Sequence, residues 1–253
     1  MLLHRVRAVN TAADSENRIH DDRVAAAYGF RGGLVPGVTV YGYMTLPVLE
    51  HFGERWLERG AMSVRFKSPV YEGEDVAIEA HASDGGRLEL SLENGRATGV
   101  AWIDLDAVPP ELAEYPVRPL PPEDRRPPAS HETLATGTVL GTLTTTLNLG
   151  ESRMSAPLPA AVGEGRVAHP AILLALSNEL LVRNVVLGPW IHAASEVANF
   201  SKAHDGETLT VHGHVAEKYA RKGHEFVALD VLICSDGRVV QRVRHTAIWE
   251  LRV

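Results

Sequence analysis

The chain carries one order of elements twice at a nearly constant offset, and this constrains its fold more tightly than any other feature. The segment FKSPVYEGEDVAIEA, starting at Phe66, lies over NFSKAHDGETLTVHG, starting at Asn199, without a gap. Pro36 precedes Gly73 by 37 residues, and Pro170 precedes Gly206 by 36. In the first half the pattern predicts a helix from Pro36 to Phe52 and then a strand, MSVRFKSPV. A turn at Glu72-Gly73-Glu74 follows, and then three strands divided by Asp84-Gly85-Gly86 and Asn94-Gly95. The second half predicts a helix from Pro170 to Val186, a strand ASEVANFSK, a turn at Asp205-Gly206-Glu207, and strands divided at Arg221-Lys222-Gly223 and Asp236-Gly237. Both halves close on an apolar strand, ATGVAWIDL and RHTAIWELR. Such agreement reads as an internal duplication.

Between the halves lies PPELAEYPVRPLPPEDRRPP, which holds eight of the fifteen prolines. Proline cannot donate a backbone hydrogen bond, so this stretch is expected to run extended along the surface. The division is therefore a first unit over residues 1–108, a linker over 109–129 and a second unit over 130–253. Each unit has one long helix, several antiparallel strands and no βαβ alternation, which is an α+β pattern. The second helix, PAILLALSNELLVRNVV, is apolar around most of its circumference and must be buried on most sides. A curved antiparallel sheet wrapped round a central helix would bury it. Pro170 suits the first helical position, whereas Pro47 should kink the first helix or end it early.

Composition excludes more than it selects. A hydrophobic content of 45% and a charged content of 23% are those of a soluble globular protein. The formal charge of −7 argues against nucleic acid as the main partner, and an anionic ligand would need a local basic patch. The only cysteine is Cys234, so neither an intrachain disulfide nor a cysteine-based zinc site can form. No 18-residue apolar run offers a membrane span, and MLLHRVRAVN lacks the uninterrupted apolar core of a signal peptide. A cytoplasmic location is the expectation.

The segment SENRIHDDRVAAAYGFRGGLVPG, Ser15 to Gly37, concentrates the candidate chemistry. It places Asn17 and His20 in one polar turn, followed by an Ala-rich segment and a Gly-rich loop that delivers Gly37 to a helix start. A histidine can move protons near neutral pH, and free N–H groups at a helix start can hold a carbonyl oxygen. The plain alternative is a surface loop followed by a core helix.

These residues resemble the motif of MaoC-like dehydratases and (R)-specific enoyl-CoA hydratases, a family with a double hot-dog fold. The family motif reads Asp-x-Asn-Pro-(Leu/Ile/Val)-His, then five residues and a small one. Here it is met by Asn17-Arg18-Ile19-His20 and, after Asp21 to Ala25, by Ala26. Ser15 stands at the aspartate position, Asp14 lies one residue too early, and Arg18 replaces the proline. Val35-Pro36-Gly37 takes the place of the family's glycine at the start of the central helix.

The resemblance implies two tandem hot-dog units and reversible addition of water to a trans-2-enoyl thioester, carried by coenzyme A or acyl carrier protein. It implies catalytic roles for His20, with Asn17, Asp14 and Ser15 beside it, and carbonyl binding by the N–H of Gly37 or Val38. Asp21 or Asp22 could also supply the missing carboxylate. The second unit would be structural and bind the acyl chain. No cofactor and no metal is implied, and a homodimer is compatible. A hot-dog thioesterase and a non-catalytic acyl-thioester binding protein are the alternatives.

The remaining polar residues have plainer readings. Asp21 and Asp22 read first as the N-terminal charge pair of the Ala-rich helix. Gly29, Gly32 and Gly33 read as turn residues, since no strand–GxGxxG–helix context surrounds them. His169 before Pro170 reads as helix-start packing. His212 and His214 share a strand face but lack a third metal ligand. Arg31, Arg65 and Lys67 could meet coenzyme A phosphates or simply be solvated.

Overall fold

Ten strands form one continuous antiparallel sheet, and two helices supply its apolar lining. The computed structural model describes residues 1–151, 161–162 and 166–252. The first half comprises β1 (Leu2–Arg7), α1 (Asp22–Ala27), α2 (Gly37–Phe52), α3 (Trp56–Arg59), β2 (Gly60–Phe66), β3 (Asp75–Ser83), β4 (Arg87–Leu92) and β5 (Ala97–Ile103). The second comprises β6 (Leu143–Thr146), β7 (Ala161–Val162), β8 (Val167–Ala168), α4 (Pro170–Asn184), β9 (Ile191–Asn199), β10 (Thr208–Arg221), β11 (His224–Ser235) and β12 (Arg238–Glu250). The sheet runs β1-β3-β4-β5-β2-β9-β12-β11-β10-β6, and β7 pairs separately with β8.

That order is its own mirror about the β2–β9 junction, which is what a duplicated chain predicts. Each strand of the first half has its counterpart at the same distance on the other side. At the junction Ser63 faces Glu196, and the gapless overlay makes these two residues counterparts. A local two-fold axis therefore passes between them. The duplication also extends further than the sequence pattern indicated, because β1 and β6 form matching outer strands. Both are short and lie at the sheet edges, where half-exposed residues leave little apolar signal.

The turn residues act as their chemistry requires. Lys222-Gly223 and Asp236-Gly237 are two-residue hairpin loops with both central residues at positive φ, the geometry matching the twist of the flanking strands. Pro47, by contrast, does not end its helix: α2 continues through it to Phe52. The proline is buried with Met44 and Val48 in the core, and tertiary packing outweighs the one backbone bond it cannot make. The second helix stops at Asn184, short of Val186, because Val185 turns extended. Val186 then exchanges backbone hydrogen bonds with the end of the linker, donating to Pro127 and accepting from Ala129, each at 2.8 Å.

The linker region follows the surface without forming strands of its own. Its anchor is Tyr115, buried, whose hydroxyl donates to Asp230 at 3.0 Å. Asp230 in turn receives two hydrogen bonds from Arg242, at 3.0 and 2.7 Å. The main core is a single cluster drawing on both helices and both halves of the sheet. No helix among the described residues is long and apolar enough to cross a membrane.

Candidate active site

The candidate loop folds as it does because three side chains satisfy backbone groups that would otherwise be orphaned. Asn17 caps a short turn of 3-10 helix, Arg18–His20, accepting from the Ile19 N–H at 3.3 Å. Asp21 caps α1, accepting from Arg23 and Val24 at 3.0 and 3.1 Å, and it pairs with Arg18 at 3.0 Å. Asp22 accepts from the Gly33 N–H at 2.8 Å and closes the loop. Gly33 must lack a side chain, since a Cβ there would run into the His20 carbonyl oxygen. The two aspartates are thus structural, and Gly33 serves close approach rather than a phosphate cradle.

Asn17 also binds the two halves together. Its Oδ1 accepts from the Trp190 N–H at 3.2 Å, and its Nδ2 donates to the Trp190 carbonyl at 2.9 Å. The same Nδ2 lies 3.3 Å from His20 Nε2. His20 Nδ1 donates to the Leu34 carbonyl at 2.6 Å, which leaves Nε2 as the lone-pair nitrogen. Burial lowers the His20 pKa below its ordinary value, and the Leu34 hydrogen bond opposes this only in part. The imidazole is therefore neutral at neutral pH, able to take a proton.

Asn17 and His20 line a cavity of about 240 Å³ with Gly37 at its edge. Its apolar wall comes from both halves, including Phe30, Leu34, Phe66, Trp190, Ile191 and Ile248. Gly37 opens α2 with Pro36 as its cap, so the first N–H groups of the helix have no intrahelical partner. Val38 is buried behind Gly37 and is not part of the lining.

The remaining sequence candidates divide by position. Asp14 is exposed and Ser15 half-buried, and neither lines the cavity. The Ser15 hydroxyl donates to the Asn17 carbonyl at 3.3 Å. Among the described residues, no carboxylate lines the cavity. Lys67 stands at the cavity as its one Lys or Arg side chain among the described residues, while Arg65 is exposed on β2. Arg31 is engaged elsewhere: it pairs with Glu74 and stacks over the Tyr71 ring at 4.2 Å.

Sequence reasoning missed His192. It lines the cavity from the second half, is 5% exposed, and packs edge-on against Phe66 with ring centroids 4.8 Å apart. A Cβ on Gly37 would lie 2.7 Å from His192 Nδ1, so only glycine fits at the helix start. The cause of this placement is a β-bulge in β9: Thr246 pairs with Ala194, but Ala247 pairs with His192, leaving Ala193 unpaired. Simple alternation from the buried Ser195 and Val197 would turn Ala193 inward and His192 outward. The bulge reverses that.

The equivalent place in the second half is filled. His169, capping α4, accepts from the Ala171 N–H at 3.2 Å, and its Nε2 lies 3.3 Å from the Thr45 hydroxyl. Burial depresses its pKa to about 4. No group of three His, Cys, Asp or Glu side chains is arranged for a metal among the described residues. His212 is buried, and His214 lies against the Tyr115 ring at 5.9 Å.

No protein-family profile and no curated protein sequence matches the chain. Solved structures do. A conserved hypothetical protein of Mycobacterium tuberculosis, described as having a double hot-dog fold, aligns over 98% of this chain and 95% of its own, with 17% identity and a TM-score of 0.61. A candidate MaoC domain dehydratase of Chloroflexus aurantiacus aligns over 100% and 96%, with 11% identity and a TM-score of 0.60. A candidate oleoyl thioesterase of Lactobacillus plantarum aligns over 99% and 96%, with 14% identity and a TM-score of 0.57. At such identities the likeness shows the fold. The chain has a double hot-dog fold, of α+β class, as its resemblance to the MaoC-like family implied.

Proposed function

We propose that this protein adds water reversibly to a short trans-2-enoyl thioester. The observation that carries this reading is the meeting of His20 and Asn17 with the open N-terminus of α2 in one largely apolar cavity. The thioester carbonyl oxygen takes the free N–H groups of Gly37 or Val38, where the helix dipole favours the developing enolate charge. Water enters beside Asn17 Nδ2 and His20 Nε2, accepting from the amide and donating to the imidazole in place of their long 3.3 Å direct contact. As the water oxygen attacks C3, His20 Nε2 takes its proton and the C2–C3 electrons move onto the carbonyl oxygen. Collapse of the enolate then draws that proton from His20 to C2. One base serves both transfers, so the scheme balances without a carboxylate at position 15.

The acyl group is short, because a cavity of about 240 Å³ falls below the roughly 300–1,000 Å³ of pockets for drug-sized ligands. Lys67 at the cavity offers one positive charge to a coenzyme A or carrier-protein phosphate. Candidate dehydratases and a candidate thioesterase among the structural relatives support an acyl-thioester enzyme. Ser15 favours one other reading, a non-catalytic acyl-thioester binding protein. The test is loss of the enoyl absorbance of crotonyl-CoA, with His20→Ala alongside. Hydration by the intact protein and a roughly 10²–10⁴-fold loss in the variant are expected. Unchanged turnover in His20→Ala refutes the role of His20, and binding without turnover selects the binding protein.

A further inference from the structure

A buried histidine of the second half stands at the helix start, and apart from the Ala194 backbone near its ring, one of its nitrogens lacks a partner. His192 Nδ1 is buried without a hydrogen-bond partner, against the first residue of α2. The rest of its ring is held in a chain of side chains. His192 Nε2 lies 2.8 Å from the Ser195 hydroxyl, and that hydroxyl lies 3.3 Å from His245 Nδ1. The two imidazole rings are 4.3 Å apart. His245 is fully buried, and its Nε2 also lacks a partner.

This chain can be protonated in two directions, and each leaves one buried N–H without a partner inside the protein. If His192 donated through Nε2, the run of donors would end on an unpartnered N–H of His245 inside the core. In the other direction His245 Nδ1–H donates to Ser195, and Ser195 donates to His192 Nε2. His245 then leaves only a lone pair unpaired, and the unpartnered N–H moves to His192. His192, a residue that lines the cavity, is left with a proton on Nδ1 that a bound carbonyl oxygen can satisfy, as nothing can for His245 in the core. Burial holds both histidines well below their ordinary pKa, His245 at about 3, so each carries one proton at neutral pH.

We propose that His192 donates from Nδ1 to the thioester carbonyl oxygen, beside the N–H groups of α2, so that each half of the duplicated chain contributes to one oxyanion site. This rests on the thioester reading above, but not on hydration being the reaction. The second half is then more than a structural and acyl-binding support. The bulge at Ala193, which turns His192 inward, is the device that completes the site.

The test is the infrared carbonyl band of [1-¹³C]butyryl-CoA, a saturated thioester that hydration cannot consume, bound to the full-length protein. The wild type should shift the band to lower frequency relative to free thioester. His192→Leu should lose much of that shift, and His192→Asn, whose amide N–H falls near the Nδ1 position, should restore it. His192→Gln, which extends toward Nε2, should not. Ser195→Ala only removes an atom and should reduce the shift by releasing the tautomer. In crotonyl-CoA hydration, His192→Leu should lower kcat about 10²–10³-fold with little change in KM, the usual effect of deleting one such donor. A wild-type shift in both His192→Leu and Ser195→Ala overturns the proposal, as does failure of His192→Asn to restore the shift or failure of the thioester to bind. A bound, shifted thioester without crotonyl hydration removes the hydratase reading and leaves this one standing.

Discussion

Asn17→Ala should be among the most damaging single-atom-group deletions in this fold. The side chain is buried, 9% exposed, and joins the N-terminal loop to Trp190 of the second half by a reciprocal pair of hydrogen bonds at 3.2 and 2.9 Å. Alanine leaves the Trp190 N–H and carbonyl without their side-chain partner in a buried place beside the cavity. Each such orphan costs about 1–3 kcal/mol. Loss of the cap on the Arg18–His20 turn adds a smaller amount, about 0.5–1 kcal/mol at the low end of N-cap losses. The sum is roughly 2.5–7 kcal/mol if no water enters, and about 2 kcal/mol if one water replaces the amide.

The assay is urea denaturation of the wild type and Asn17→Ala, with Asp21→Ala as a control that removes a cap and an exposed ion pair with Arg18. Asp21→Ala should lose about 1 kcal/mol. Asn17→Ala should lose at least twice that with little change in the denaturant slope, and turnover should fall further because His20 loses its neighbour. A loss below about 0.5 kcal/mol, the ordinary range for surface changes, would refute the view that Asn17 clamps the two halves.

Four further outcomes follow from the same geometry. Gly37→Ala places a Cβ 2.7 Å from His192 Nδ1 and should cost about 1–3 kcal/mol, with turnover down roughly 10²-fold as the helix start shifts; wild-type kinetics would refute the close approach. The acid limb of kcat/KM should lie below about pH 6.5, because burial lowers the His20 pKa and the base works only when neutral; a limb above 7 would refute this. His169 and His245 have folded pKa values of about 4 and about 3, below the unfolded value near 6.5, so the unfolded state binds more protons in between. Stability should therefore fall as pH drops below about 6.5, approaching about 1.4 kcal/mol per pH unit for each histidine, and denaturation at pH 7, 6 and 5 checks it. Lys67→Glu should raise KM for a coenzyme A thioester, leave kcat nearly unchanged, and leave KM for a pantetheine thioester lacking the nucleotide phosphates unaltered; equal KM changes for both would refute a phosphate contact.

Much of this molecule is legible along the chain because it depends on local chemistry. The turn pairs Lys222-Gly223 and Asp236-Gly237 tolerate positive φ wherever they stand. Pro170 and Pro36 mark helix starts for steric reasons that involve only their neighbours. Asn17 and His20 meet because a capped 3-10 turn brings positions three apart together. Other features depend on partners distant in sequence. Pro47 reads as a helix breaker by propensity, and only its burial among core side chains shows why α2 continues. Asp14, Asp21 and Asp22 are all candidate carboxylates on paper, with Asp21 and Asp22 read first as a helix-start charge pair; folding assigns those two to capping and loop closure and leaves Asp14 exposed.

The sequence by itself determined the duplication, the two central helices, the turns and the candidate loop, because periodicity and turn chemistry are carried by adjacent residues. Tertiary structure alone decided that the repeats share one ten-stranded sheet about the Ser63–Glu196 pair and that one cavity draws on both. It also decided that His192 faces Gly37. A β-bulge adds one residue to the count and reverses every inference from alternation beyond it, and its position is set by pairing with β12, more than fifty residues away.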